Sequence, residues 1–490
     1  MRRLLTCWTS VAVGAGMGLA AAGQCDGGLT IHATTTKTET ATPSLPDVDL
    51  KVAPPAAHAA TSSPIATGPD GPASPLRLQL VLAVTRHGLR TPLSSTDQRN
   101  EWRCEHDQLL VQHYADADDA LRLTHSDEPL PDHVPANLLT RRKLLHGRQK
   151  LRGNCHVGQL THLGLEQLRR IGELLRERYV DELRVLPPVF DARTVFVRST
   201  DTNRTIESAQ SLLWGLYPPS TRPHGREGVM DVNIVEERPR TCTRGRHARA
   251  TPDYLKHRED RQPFQASTTT TTTTTSDKVE AALGRKVNSW DGLNSTLQTI
   301  IRHRLLLPDG VDQDIVDGVE SEAGYETAVK FSSPEICRLA IGRFIGDVVD
   351  RVQTTVDGED DVRFALYSGH DNTLSPFLSA FNVFDARQPP MASVIVLEVY
   401  KDAKDKHWVR FLYNGEEMVV QAPAKGAGAE KGELEPLTQR YPVAVVRDAG
   451  EAGERREAIA LAPHERWREL ATSLIPIDYD AECKESAPLA

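Results

Sequence analysis

The features that would settle many functions outright are missing from this sequence of 490 residues. There is no basic tract, no RNA-binding motif and no zinc-knuckle spacing, and a formal charge of -9 is spread over both signs, so nucleic acid is set aside as a partner. None of the seven cysteines forms a CxxC pair, which argues against a thiolate metal centre. His106, His113, His125, His133, His146 and His156 include no i, i+4 pair, so they read as scattered surface residues and not as a zinc helix. Asp116, Asp118 and Asp119 lack the glycine and glutamate that complete a calcium loop. From residue 26 to 75, aromatic and branched apolar residues are nearly absent. A stretch of Thr, Pro, Ala and Ser cannot bury enough surface to fold, and it reads as a disordered spacer open to O-glycosylation.

At the N-terminus, Met1-Arg2-Arg3 precedes an uncharged run from Leu4 to Cys25 that ends in Ala20-Ala21-Ala22-Gly23. Charge, apolar centre and small residues together predict a secretory signal over residues 1–25, either cleaved or kept as a type II anchor. No second apolar run of spanning length follows. The chain is therefore expected in the secretory pathway, secreted or in an endomembrane lumen, touching membrane only if the leader is retained. Cleavage at the small residues Ala20–Gly23 would remove Cys7 and leave Cys25, Cys104, Cys155, Cys242, Cys337 and Cys483, an even number that suits disulfides in that compartment.

Three apolar runs end in chemically loaded turns. Leu80-Val81-Leu82-Ala83-Val84 leads into Arg86-His87-Gly88-Leu89-Arg90-Thr91-Pro92, a strand stopping where two arginines flank a histidine. Guanidinium forks pair with phosphoryl oxygens, imidazole can attack phosphorus, and glycine admits a ligand close to the backbone. Val195-Phe196-Val197 ends in Arg198-Ser199-Thr200-Asp201, ahead of helical periodicity at Ile206, Ala209, Leu212, Leu213 and Leu216. Phe364-Ala365-Leu366-Tyr367 ends in Ser368-Gly369-His370-Asp371, again with a helix beginning directly after. Strand, turn and helix start form the usual anion site of an α/β sheet.

The RHGxRxP pattern of Arg86–Pro92 resembles that of the histidine acid phosphatases, the branch that also contains phytases. Gly158-Gln159-Leu160-Thr161, with Gly164 and Gln167, is similar to the family's GQLTxxGxxQ segment, and it caps an amphipathic stretch from Leu163 to Tyr179. The run Arg198-Ser199-Thr200-Asp201 through Arg204-Thr205 to Leu216-Tyr217-Pro218 resembles its second block, and Gly369-His370-Asp371-Asn372-Thr373 its GHDxT block. The resemblance covers roughly Leu76 to Cys483. It implies a three-layer α/β/α core with a mainly parallel sheet, over residues 76–222 and 335–490, and a smaller inserted helical cap over 223–334. That cap carries eight threonines, Thr268–Thr275, in an exposed loop and a glycosylation sequon at Asn294. It further implies one disulfide, between Cys242 and Cys483; connectivity does not otherwise follow from the sequence, and Cys104 with Cys155 is a further candidate pairing. Residues 421–457, rich in Gly, Ala, Glu and Lys, read as a mobile insert, and a helix around Trp467–Leu474 closes the chain.

The implied activity is acid hydrolysis of a small-molecule phosphate monoester without metal or cofactor. His87 becomes the phosphohistidine, Arg86, Arg90 and Arg198 with His370 hold the phosphoryl oxygens, and Asp371 is the proton donor. This requires His87, Asp371 and Arg198 to face one cavity. Two alternatives stay open: a phosphoglycerate-mutase-like phosphotransferase, and a secreted glycoprotein that keeps the fold for binding. Leu89 departs from the polar residue of many relatives and makes the pocket floor more apolar. Nucleotide, sugar phosphate, lysophospholipid and phosphoxylose remain open as substrates, while the lack of a lysine cluster in the cap argues against inositol hexakisphosphate.

Overall fold

The computed structural model describes residues 71–93, 99–102, 104, 149–223, 225–235, 274–331, 333–424, 433–446 and 454–484. The N-terminal leader and spacer, most of the threonine run and Cys242 lie outside them.

The first apolar run among the described residues is a strand, β1 (Leu76–Arg86), buried along almost its whole length. A bulge between Leu78 and Leu80 inverts its alternation. Leu80, Leu82 and Val84 enter one core while Val81 and Ala83 join Leu76 and Leu78 in the other, so both faces of β1 are covered. Beside it, β4 (Phe364–Gly369), β2 (Val195–Thr200) and β3 (Asn233–Val235) continue the sheet in parallel, in the order β1-β4-β2-β3.

The other half of the sheet is antiparallel. β5 (Val394–Lys401) pairs with β1, then β6 (His407–Tyr413), with a two-residue strand β7 (Glu416–Glu417) on its flank. After a small separate ribbon of β8 (Gln421–Pro423) and β9 (Leu434–Pro436), β10 (Gln439–Val446) and β11 (Glu454–Pro463) complete the sheet, and β10 returns to the start of β1. The mainly parallel sheet expected of the α/β fold therefore holds around the three loaded turns, with an antiparallel extension beside them. Within 421–457 the expectation of a mobile insert is corrected. β10 and the start of β11 are sheet strands, whose Tyr441, Val443 and Val445 are buried in the core. Alternating apolar residues decide this in spite of the Gly and Ala around them.

Helices cover both faces. α1 (His162–Arg176), N-capped by Thr161, and α2 (Asn203–Leu216) lie on the Val81 side, with Leu168, Ile171, Leu212 and Leu216 in its core. The GQLT turn thus starts the helix its sequence predicts. Three helices then follow: α3 (Thr275–Leu283), α4 (Trp290–Arg302) and α5 (Gln313–Lys330). They share a core of their own built on Val279, Leu297, Ile315 and Val319. α6 (Pro334–Asp357) and α7 (Asp371–Ala380) cover the Leu82 side, and α8 (His464–Ser473) closes it through Trp467. Among the described residues no helix is long and apolar enough to cross a membrane.

Cys104 and Cys155 are joined in a disulfide, as expected. Cys483 is also disulfide-bonded, Cys337 is a buried free thiol, and Cys242 falls outside the described residues.

Candidate active site

The parallel pairing brings three strand ends level. Arg86, the last residue of β1, pairs with Gly369 at the end of β4, and Ser368 pairs with Ser199 of β2. Beyond that edge the chain turns, and His87 N donates to Gly369 O at 3.0 Å while Gly88 N donates to Ser208 Oγ at 3.1 Å. α1 crosses directly over the turn. A Cβ on Gly88 would stand 2.3 Å from Gly164 O, and one on Gly164 would stand 2.1 Å from Leu89 O, so the two glycines permit a backbone contact that clamps the His87 loop. Leu89 is buried here, its N–H donating to Gln167 Oε1.

His87 is only 2% exposed. Its Nδ1 lies 2.8 Å from Gly88 O, which can only accept, so Nδ1 carries the proton and Nε2 holds the lone pair. Burial, followed by the Arg86, Arg90 and Arg204 guanidinium groups, holds its pKa well below the ordinary histidine value. The ring is neutral on the acid side of neutrality.

Around it stand buried cations. Arg86, 2% exposed, donates to Pro389 O and pairs with Asp371. Arg90, 4% exposed, donates to Thr91 O and to Ser295 Oγ on α4; burial and then the Arg86 and Arg204 charges lower its pKa to about 9. The Nε groups of both Arg86 and Arg90 are buried with no hydrogen-bond partner among the described residues. Buried donors are ordinarily satisfied, so orphaned guanidinium hydrogens in a cationic cluster mark a seat for an anion.

Arg198 is not part of that cluster, and here the expectation is corrected. Its guanidinium pairs with Asp347 on α6 and lies over the rings of Phe344 and Tyr367, 5.8 and 5.9 Å from their centroids. Side chains alternate along β2: Val197 belongs to the core under α1 and α2, whereas Phe196 packs against the core under α6 and α7. Arg198 shares the Phe196 side. The third arginine of the site is Arg204, in the first turn of α2, whose Nη2 reaches His370 Nδ1 at 3.3 Å and whose charge acts on His87, His370 and Arg90. Arg204 lies six positions downstream of Arg198, where the period of two along β2, carried past the strand end, gives no orientation.

His370 sits 5.4 Å from His87, ring centroid to centroid. Its Nε2 is 3.0 Å from Thr200 Oγ1, and because an arginine only donates, Nδ1 is the acceptor toward Arg204. Burial and then Arg204 lower its pKa to about 3. A direct donor to phosphate was expected of it; the described geometry instead turns both ring nitrogens to protein partners, with Arg204 held by one of them.

Asp371 opens α7. Its Oδ2 is 2.6 Å from Arg86 Nη2 and accepts from Gln388 Nε2 at 3.2 Å, and its Oδ1 accepts from Asn372 N at 2.8 Å. Burial works against ionisation, but Arg86 and Arg90 outweigh it and hold the carboxyl at about 2. The side chain keeps 26% exposure. A shallow recess open to solvent adjoins it, with Asp291, Glu326, Lys330, Asn372 and Gln388 on its walls. Asn294 is 4% exposed beside this recess, and the amide nitrogen a glycan would occupy donates to Gln388 Oε1 at 2.8 Å. The sequon expectation is therefore corrected: Asn294 is an interior residue.

The family model for the histidine phosphatase superfamily (branch 2) matches residues 77–303 and 320–414. The chain belongs to that superfamily. Counting factor 60 of Dictyostelium discoideum is 32% identical to this phosphatase over 348 residues, 70% of this chain and 80% of the relative. Lysophosphatidic acid phosphatase type 6 of Mus musculus is 28% identical over 366 residues, again 70% and 80%. A solved phytase from Klebsiella sp. ASR1 aligns with a TM-score of 0.47 at 15% identity, covering 85% of this chain and 98% of its own. The phosphatase is thus a phosphoric monoester hydrolase by membership, and its arginine cluster is the part of the molecule suited to that chemistry.

Proposed function

We propose that this acid phosphatase cleaves phosphate monoesters through a phosphohistidine formed on His87 Nε2. The single observation that carries the reading is the His87 tautomer, set by the Gly88 carbonyl, amid buried guanidinium groups that have donors to spare. A phosphoryl group seated on Arg86, Arg90 and Arg204 has its equatorial oxygens neutralised as charge spreads over them. Nε2 attacks phosphorus as the ester oxygen leaves, and Asp371 gives that oxygen a proton. Asp371, then a carboxylate, takes a proton from the water that displaces His87, which returns free phosphate and the starting enzyme. Arg204 takes the place first given to Arg198, and His370 orients it.

Further expectations go with this reading. Residues 223–334 act as the cap over the catalytic core. The Cys104–Cys155 disulfide supports an oxidising compartment and hence a functional leader, whether the mature protein is secreted, luminal or anchored. Substrates are small phosphate monoesters.

Rapid quenching with labelled p-nitrophenyl phosphate tests the covalent step. An acid-labile, base-stable protein phosphate is expected, absent from His87→Ala. A labelled intermediate that survives His87→Ala would refute it.

A further inference from the structure

Asp371 enters the cycle with a difficulty. A general acid must carry a proton before the ester bond breaks, yet its Oδ2 is ion-paired with Arg86 in the free protein. A second carboxyl stands next to it. Asp291, in the first turn of α4, is bridged to Asp371 by one amide group: Gln388 Nε2 donates to Asp291 Oδ1 and to Asp371 Oδ2. The orientation of that amide is fixed by its three partners, because Asn294 Nδ2 donates to Oε1 at 2.8 Å. Reversed, it would set a carbonyl oxygen against two carboxylates and an NH₂ against an NH₂.

We infer that Asp291 is a positioning residue for the catalytic proton: with Gln388 as a fixed bridge, Asp291 and Asp371 form a carboxyl pair that stores one proton beside the leaving-group oxygen. The inference rests on the proposed function above and adds to it the source of the proton. Two carboxylates this close resist both being ionised, so the pair keeps a proton at a pH where either one alone would lose it.

The surroundings fit. Asp291 faces Asp371 on α7, Arg86 at the end of β1 and Arg90 in the turn beyond it, and Lys330 and Glu326 on α5. Glu326 Oε2 accepts the Trp290 and Asp291 amides at 2.8 and 3.1 Å, and so occupies the helix start that would otherwise stabilise an ionised Asp291. Burial, and then the Asp371 charge, raise Asp291 to about 6, while Asp371 lies at about 2. The pair keeps one proton on the acid side of neutrality, and the Arg86 ion pair on Asp371 favours its residence on Asp291. When a phosphoryl group draws the Arg86 charge to itself, Asp371 becomes the better base of the two. The proton is then already inside the site, and after transfer to the leaving alcohol the attacking water restores it.

The test is Asp291→Asn, assayed from pH 3 to pH 8 with an alkyl phosphate and with p-nitrophenyl phosphate, beside His87→Ala. With asparagine at 291, Asp371 must take its proton from solvent, and its protonated fraction falls tenfold for every pH unit above its own pKa. The descending limb of kcat/KM for the alkyl ester should move down by at least about one unit from its wild-type position. The p-nitrophenyl ester, whose leaving group needs little protonation, should stay within about threefold. Asp291→Glu should restore much of the limb. A purely structural role would lower both substrates at every pH and leave the limb in place, as would misfolding, which unchanged vanadate affinity and thermal midpoint exclude. An unmoved limb in Asp291→Asn, with His87→Ala inactive, overturns this inference alone; an active His87→Ala overturns the reading beneath it.

Discussion

Replacing Arg204 and Arg198 separately by alanine distinguishes two placements of the third phosphate-binding cation. Arg204 stands at the mouth of the buried cluster and is among the charges that depress both His87 and His370. If it holds an equatorial phosphoryl oxygen, its loss removes one charge-assisted donor from the transition state. Such donors are worth about 3 kcal/mol, or roughly a hundredfold in kcat/KM. A second signature follows from sign. Arg204 lowers the His87 pKa, so its removal raises that pKa, and the acid limb of the rate profile should move upward. Arg198 predicts a different outcome. Its partner Asp347 is half-exposed, an ion pair worth about 0–1 kcal/mol, and its stacking over Phe344 and Tyr367 adds about 0.5–1 kcal/mol. Arg198→Ala should therefore lower stability by about 1 kcal/mol and leave kcat/KM within about threefold. Steady-state kinetics from pH 3 to 7, with thermal unfolding of each variant, measures both. A hundredfold loss in Arg198→Ala, with Arg204→Ala near wild type, would refute the geometric assignment.

Two predictions concern the scaffold. Gly164→Ala should push α1 off the His87 turn, because the new methyl meets Leu89 O at 2.1 Å; a stability loss of about 1–3 kcal/mol and a larger loss of activity are expected, read by denaturant titration and turnover. Glu398, wholly buried, accepts from Arg178, Tyr179, Tyr400 and Arg410, and although burial opposes it, Arg178 and Arg410 hold it at about 2. A depressed folded-state pKa stabilises fully above the ordinary carboxyl value, and the contribution fades as pH falls from about 4.5 toward 2. Glu398→Gln should thus cost about 3–5 kcal/mol at pH 6 and less at pH 3, as measured by urea unfolding at the two values.

How legibly the site stands in the sequence depends on how local each residue's geometry is. Arg86, His87 and Arg90 were readable because a strand ending in Gly fixes where its turn emerges, and Asp371 because it opens a helix directly after a strand. Arg198 misled for a related reason. It ends an apolar run as Arg86 does and shares its face, but it pairs with Tyr367, level with Val84 and two residues short of the Gly369 edge where Arg86 emerges, and the sequence does not state that register. Arg204 lay within the same recognised run, unweighted because it belongs to the helix. Asn294 shows the converse: a sequon records what an enzyme could modify, while burial by α4 against the Gln388 amide removes the nitrogen from reach.

By itself the sequence determined the three strand-turn blocks, two of which open a helix, and, through them, the family and the reaction class, because periodicity, turn residues and motif chemistry all act within about ten residues of chain. Only the tertiary structure decided which arginine faces the anion, that His370 turns to Arg204, and that Asp291 and Gln388 stand against Asp371. Those contacts join residues 17 to 166 positions apart in the chain. Their existence depends on strand register and on which layer each helix occupies, quantities set by packing of the whole core and carried by no short segment.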